Sequence, residues 1–298
     1  MEKILIMYEN IDNELTQLRK NQSQEGPLGD YAERKGIVTK FQNMINKHIP
    51  FNYVKNNHSL DMVEQGYTNL GNVFSTSQIK DIQAFFSDKL AYDSHVPPGT
   101  TGESSIHSIR QRKASACYNL KHILQCPHLI ELASSPAMVE IAETYLGCCP
   151  TLYSMNVFWT FTGHPTEGIK FFHRDVEDYK FCCLLIYLVD VDKDTGPHCY
   201  IKYTHDDDKF IQETKNIELC NTIFPPNMLT GHGNDALFNT TLNQYMDEFI
   251  GPAGSGFMAD TFGLHKGNNL SKDRLIFWVR YGLHRSACVD QQIPNPLP

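Results

Sequence analysis

From Thr76 onward the chain places Ile79, Ile82, Phe85, Phe86 and Leu90 at intervals of mostly three and four, behind a Thr76-Ser77 start. That spacing gathers them on one side of a helix. His128 to Gly147 repeats the helical period, is interrupted by Pro136 and ends at Gly147, a residue suited to a helix C-terminus. Residues 94–116 are polar, contain Pro97-Pro98-Gly99 and read as a long loop. Past residue 150 the pattern changes. Thr151 to Thr162 is aromatic and rich in strand formers, and Phe181 to Val189 is a continuous apolar run of strand length. Asp194-Thr-Gly-Pro197 reads as a turn before a short strand, His198 to Tyr203. Gly254 to Asp260 and Arg274 to Tyr281 are further strands. Residues 206–252 read as an insertion, acidic at first, then Pro225-Pro226, then a helix near Leu242 to Phe249.

A helical half followed by short strands predicts a mainly β fold with flanking helices. The expected core is an antiparallel barrel or jelly roll, cupin-like, buttressed by the N-terminal helices. We expect one domain over 1–298: a mostly helical part at 1–150, a β core at 151–282 carrying the insertion 206–252, and a tail at 283–298. No internal repeat or low-complexity tract interrupts this plan.

Composition narrows the function classes. Hydrophobic residues are 41% and charged residues 20% of the 298, which suits a packed globular chain. The formal charge is −8 with no Lys/Arg block, which argues against a nucleic-acid or anionic-membrane surface. No apolar run reaches the roughly 18–20 residues of a membrane span. The nine cysteines include no C-x-x-C, and Cys148-Cys149 and Cys182-Cys183 are adjacent pairs, poor geometry for disulfides or zinc. The N-terminus carries Glu2 and Glu9 and lacks a small-residue cleavage site, so it reads as no signal peptide. A cytoplasmic protein with reduced thiols is the expectation.

The candidate chemistry begins at Phe171-Phe172-His173-Arg174-Asp175. In an extended segment His173 and Asp175 point to one side and can present an imidazole and a carboxylate to one point. A distant histidine would complete a two-His, one-carboxylate face with open positions, which suits non-haem Fe(II). The bland alternative is a strand-edge ion pair with Arg174 or Lys180. A second His-x-Asp, His205-Asp206-Asp207, runs into an acidic tract that reads as solvated. His265 is the candidate for the distant ligand. Arg274, nine residues later, opens the last apolar strand and could grip a dicarboxylate by a two-point ion pair. Arg280 competes for that role, because 274, 276, 278 and 280 share one face if no bulge intervenes.

Three stretches together are similar to the phytanoyl-CoA dioxygenase-like branch of the Fe(II)/2-oxoglutarate-dependent oxygenases. They are Phe172 to Asp175; Leu185 to His198 with its closing Lys202-Tyr-Thr-His205; and Gly251 to Gly267 around His265. The match covers roughly residues 150–282. It implies a double-stranded β-helix core, iron held by His173, Asp175 and His265, and the distal carboxylate of 2-oxoglutarate held by Arg274. Asn156 would be a second contact to 2-oxoglutarate. With O2 as the other cosubstrate, the implied reaction hydroxylates or desaturates a small organic substrate, releasing succinate and CO2. The carboxylate at 175 argues against halogenation, since related halogenases carry Gly or Ala there. Lys202-Tyr-Thr-His205 departs from the Pro-Gly-Ser-His segment that often closes this turn, and places His205 in a structural position. The His265 to Arg274 spacing is shorter than in many relatives, which keeps Arg280 in contention. The loop with Arg110, Arg112 and Lys113, and the insertion, are the variable parts that could cover the active-site mouth: the three cations either meet an anionic substrate group or form a solvated loop, and the insertion is either a lid or a structural flap. Two other functions fit a jelly roll: a cupin-type metal-dependent isomerase, which has no need of Arg274, and a catalytically silent binding module.

Overall fold

The computed structural model describes residues 12–17, 31–51, 53–54, 56–94, 102–164, 170–176, 178–216, 218–219, 235–268 and 270–284. Helices α1 (Tyr31–His48) and α2 (Asn57–Gln65) precede strand β1 (Tyr67–Asn72). Then come α3 (Thr76–Phe86), β2 (Ala91–Asp93), α4 (Ile106–Arg110), β3 (Ser115–Tyr118), α5 (Leu120–Gln125), α6 (Leu129–Ala133) and α7 (Pro136–Leu146). The second half holds β4 (Thr151–Thr160), β5 (Phe181–Tyr187), β6 (His198–Ile201), α8 (Asp207–Thr214), α9 (Asp235–Thr241), β7 (Met246–Phe249), β8 (Ser255–Ala259), β9 (His265–Gly267) and β10 (Arg274–Gly282).

Local chemistry explains the boundaries. Ser75 and Gln78 exchange side-chain-to-backbone hydrogen bonds at the start of α3, which satisfies donors the first turn leaves unpaired. Ile79, Ile82 and Phe86 are buried on its inner face, whereas Leu90 lies past the helix end and is exposed. Pro136 divides α6 from α7 because it opens α7, where its missing N–H costs nothing. Gly147 ends α7 at φ 74°, with its N–H donating to Glu143 O.

Among the described residues every strand pairing is antiparallel. One sheet of seven strands runs β1-β8-β5-β10-β4-β3-β2, and one of three runs β7-β6-β9. The interior strand β5 is buried throughout, which is why its sequence is continuously apolar. Its side chains alternate between two cores. Leu184 and Ile186 join Ile37, Phe41, Ile82, Phe277 and Val279 against the helices. Cys183, Leu185 and Tyr187 join Phe257 and Ile276 against Tyr200 and Phe249 of the small sheet. Each such large side chain removed from water contributes about 1.5–3 kcal/mol. The space between the two sheets is thus apolar along β5, and its polar end is where the candidate site lies.

Two sequence expectations are corrected. The stretch 94–116 is not a continuous loop. It holds α4, capped by Ser105 with Ile109 buried, and the start of the fully buried β3. The polar residues between these short elements masked them; Pro97-Pro98-Gly99 lie outside the described residues. In 206–252, the acidic run is the start of a helix, with Asp208 exposed to solvent. Asp206 caps α8 by accepting from Lys209 N at 3.0 Å, and Asp207 and Asp208 lie in its first turn, where negative charge suits the helix dipole. The helix predicted near Leu242 to Phe249 is a 3-10 turn, Asn243–Tyr245, followed by β7. Backbone pairing with β6 overrides local helical propensity there. Pro225-Pro226 lie outside the described residues. Among the described residues no helix is long and apolar enough to cross a membrane.

Candidate metal centre

The backbone brings the three candidate ligands together. His173 N donates to His265 O at 3.0 Å and His265 N to His173 O at 3.1 Å, a reciprocal bridge that extends the small sheet beyond β9. Asp175 N donates to Thr261 O at 2.8 Å. The two imidazole rings lie 4.3 Å apart, centroid to centroid.

Side-chain hydrogen bonds then fix which nitrogens face the centre. His173 Nδ1 lies 2.8 Å from Phe171 O, and His265 Nδ1 lies 2.9 Å from Gly263 O. A carbonyl only accepts, so each Nδ1 carries a proton and each Nε2 is the nitrogen turned toward the centre. Those Nε2 atoms point at the two oxygens of Asp175: His173 to Oδ1 and His265 to Oδ2, both at 3.7 Å. That is longer than a hydrogen bond. The three donor atoms lie within 4.8 Å of one another. Two imidazoles held through Nδ1 by backbone carbonyls and one carboxylate are the donor set of a non-haem ferrous site, so the residues fit the ion.

Electrostatics favour the ligating protonation states. Burial pushes the Asp175 carboxyl up, but Arg280 and the two imidazoles outweigh it and hold it well below the usual carboxylate range. Burial, aided by His173, lowers His265 to about 4. Burial likewise lowers His198 well below an ordinary histidine.

The two arginines of β10 separate. No irregularity in pairing interrupts 274 to 280; it comes after Arg280, so Arg274, Ile276, Trp278 and Arg280 share one face. Six residues of strand put the two arginine backbones about 20 Å apart. Arg280 Nη2 lies 3.0 Å from Asp175 Oδ2, and its guanidinium sits over the Trp278 ring at 4.5 Å. Asp175 therefore pairs with Arg280 and not with Arg174 or Lys180. Arg174 turns away to Thr204 O and Asp207, and Lys180 lies over the Tyr145 ring. Arg274 is 2% exposed and donates through Nη1 to Gly196 O. Its Nε has no partner, and no carboxylate among the described residues pairs with it. A Cβ built on Gly267 would come within 2.8 Å of Arg274 Nη2, so glycine leaves room for the guanidinium.

Asn156 shares the inward face through its pairing with Trp278, donates to Cys117 Sγ at 3.2 Å and keeps a buried, unpartnered Oδ1. Arg110, Arg112 and Lys113 have intramolecular partners. Arg110 makes a two-point pair with Asp273 at 2.6 and 3.2 Å, Lys113 pairs with Asp93 at 2.9 Å, and Arg112 folds back on Ser108. His205 is apart from the triad, with Nε2 3.2 Å from Val63 O beneath Gly66. Sequence reasoning did not single out His198, which stacks on His265 with centroids 5.2 Å apart. Its signal was available: a histidine opening a strand whose next inward residue, Tyr200, pairs with His265.

No family model matches the chain, and no curated protein does. Solved structures do. EctD from S. alaskensis, crystallised with 2-oxoglutarate and 5-hydroxyectoine, matches 78% of this chain and 79% of its own, with a TM-score of 0.51 at 14% identity. SnoN, a non-haem alpha-ketoglutarate-dependent epimerase from nogalamycin biosynthesis, matches over 81% of this chain and 91% of its own, at 13% identity and a TM-score of 0.49. AviO1 from Streptomyces viridochromogenes matches over 82% and 99%, at 13% identity and 0.47. At such identities the likeness is one of fold: the chain shares with the EctD structure a helix-flanked, multi-strand fold.

Proposed function

We propose that this protein is an Fe(II)- and 2-oxoglutarate-dependent dioxygenase of the phytanoyl-CoA dioxygenase-like branch, with a closed double-stranded β-helix core, that hydroxylates a small organic molecule. The observation that carries the reading is the pair of imidazoles whose Nδ1 protons are held by Phe171 O and Gly263 O, leaving both Nε2 atoms facing Asp175. His173, Asp175 and His265 would hold the iron. Bound iron, 2-oxoglutarate and O2 supply the oxidising chemistry, in which decarboxylation to succinate is coupled to oxidation of a substrate C–H bond.

The chain's own residues do the rest. The reciprocal His173–His265 bridge fixes the ring positions before any ligand arrives, which lowers the ordering cost of binding. Arg280 keeps Asp175 ionised and, through Trp278, orders the wall beside it. Arg274, buried without a carboxylate partner at the other end of the same strand face, is the group to take the distal carboxylate of 2-oxoglutarate. A guanidinium can receive it by two hydrogen bonds. Asn156 offers a further polar contact on that face. The apolar side chains of Tyr187, Phe257 and Ile276 between the sheets exclude water from the reacting centre.

The reading is tested by screening small-molecule pools for 2-oxoglutarate-coupled succinate release, with Asp175→Ala as the blank. Release above that blank from a pool is the expected result. Iron-loaded protein giving equal release in both would count against oxygenase chemistry.

A further inference from the structure

His198 is 6% exposed, and its Nε2 has no hydrogen-bond partner. A buried polar nitrogen left unpaired costs free energy that a bound group would recover. Its ring is wedged between His265, 5.2 Å away and nearly parallel at 20°, and Phe257, 5.1 Å away. Its backbone N donates to Tyr187 Oη at 3.0 Å, which fixes its place at the start of β6.

His198 lies directly opposite Gly267 on β9, so both project to the same side of the small sheet. The space over Gly267 is where Arg274 Nη2 sits. Arg274 Nη1 also bonds Gly196 O, two residues before His198. The imidazole and the guanidinium are therefore neighbours on one wall, with ligand His265 stacked on the other side of the imidazole. Thr160 faces Arg274 across β4 and β10, and its buried Oγ1 is unpartnered too. Three unpaired polar atoms, Arg274 Nε, Thr160 Oγ1 and His198 Nε2, thus belong to residues at one end of the inter-sheet space.

We propose that His198 is a second-contact residue for the keto acid, its Nε2–H donating to a carboxylate oxygen of 2-oxoglutarate between Arg274 and the metal centre. The inference rests on the dioxygenase reading, and it names a binding group beyond Arg274. Hydrogen bonds to charged groups are worth enough that losing one weakens binding by about 10–100-fold.

The test is anaerobic titration of Fe(II)-loaded protein with 2-oxoglutarate, comparing wild type with His198→Phe and His198→Gln. Phenylalanine keeps the stacked ring and removes the nitrogen, whereas glutamine restores a donor. The expected result is full iron content in all three, a Kd raised about 10-fold or more in His198→Phe, and a Kd within about threefold of wild type in His198→Gln. An unchanged Kd in His198→Phe overturns the proposal, as does loss of iron from His198→Phe, which would make His198 part of the metal site instead. Wild type that holds iron but binds no 2-oxoglutarate overturns the dioxygenase reading beneath it. A readout independent of variant folding is the 15N resonance of His198 Nε2 in Zn(II)-loaded wild type. It should shift on adding 2-oxoglutarate, and a resonance that does not move contradicts the hydrogen bond.

Discussion

Asp175 is the residue on which the site turns. Its carboxylate lies between two imidazoles and a guanidinium, and Arg280 is the strongest of the influences that offset its burial. Replacing Arg280 with methionine keeps the stem over Trp278 and removes the charge. We expect metal affinity to fall about 10–100-fold, as for other groups that orient a ligand, with the melting temperature of the metal-free protein less affected. Metal titration under anaerobic conditions measures it, and an unchanged affinity would remove Arg280 from the centre. The buried imidazole of His265 carries a pH signature. Its ordinary value of 6.5 is lowered to about 4 on folding, so between these values the unfolded chain binds more protons than the folded one. Its contribution is fully present above about 6.5, is lost as pH falls toward about 4, and amounts to something on the order of 3 kcal/mol. Metal-free protein should show falling stability across that window in denaturant titrations. His265→Leu should flatten the slope, and an equal slope in both would place the titration elsewhere.

At the level of elements, β9 joins the candidate ligand His265 to the glycine beneath Arg274. An alanine at Gly267 would press on the far end of the guanidinium, which can shift, so the fold should survive. Gly267→Ala should weaken 2-oxoglutarate binding about tenfold, the scale of one charge-assisted contact, while iron content stays at the wild-type level. Calorimetric titration of both ligands separates the two effects, and an unaltered keto-acid Kd would detach Arg274 from that role. Elements whose own residues carry the signal were legible beforehand. The 3.6-residue period of α3, Pro136 and Gly147 bounding α7, and the apolar run of β5 each follow from local chemistry. So was the triad, because His173 and Asp175 share an extended segment. Less was legible where pairing between distant segments decides. Met246–Phe249 becomes β7 only because β6 offers it an edge, and nothing local marks the solvated acidic residues 206–208 as the start of α8, which Asp206 caps. Similarly, Arg274 and Arg280 cannot be told apart by parity. Only the placement of Asp175 across from the far end of β10 separates them.

Across the whole molecule, the larger core draws on both halves of the chain. Ile37, Phe41, Ile79 and Leu146 of the helices pack with Leu184, Phe277 and Val279 of the large sheet. Hydrogen bonds cross the same boundary: buried Tyr281 Oη donates to Ala133 O at 2.6 Å, and Gln83 Nε2 donates to Leu188 O at 2.6 Å in a partly buried bond. We propose that the chain is one domain, because its larger core is shared by both halves. Unfolding followed by far-ultraviolet circular dichroism, which weighs the helices, and by fluorescence of Trp159 and Trp278 on the sheet should then give one coincident transition. Two separated midpoints would divide the chain near residue 150. Loss of the Tyr281 hydroxyl in Tyr281→Phe should lower the unfolding free energy by about 0.5–1.5 kcal/mol without splitting the transition.

The most direct test of the account is a visible absorption spectrum of anaerobic protein reconstituted with Fe(II) and then given 2-oxoglutarate. The expected result is a weak charge-transfer band that needs both additions and is missing from Asp175→Ala. Iron-loaded wild type that shows no band on adding the keto acid would contradict the dioxygenase assignment and leave only the fold.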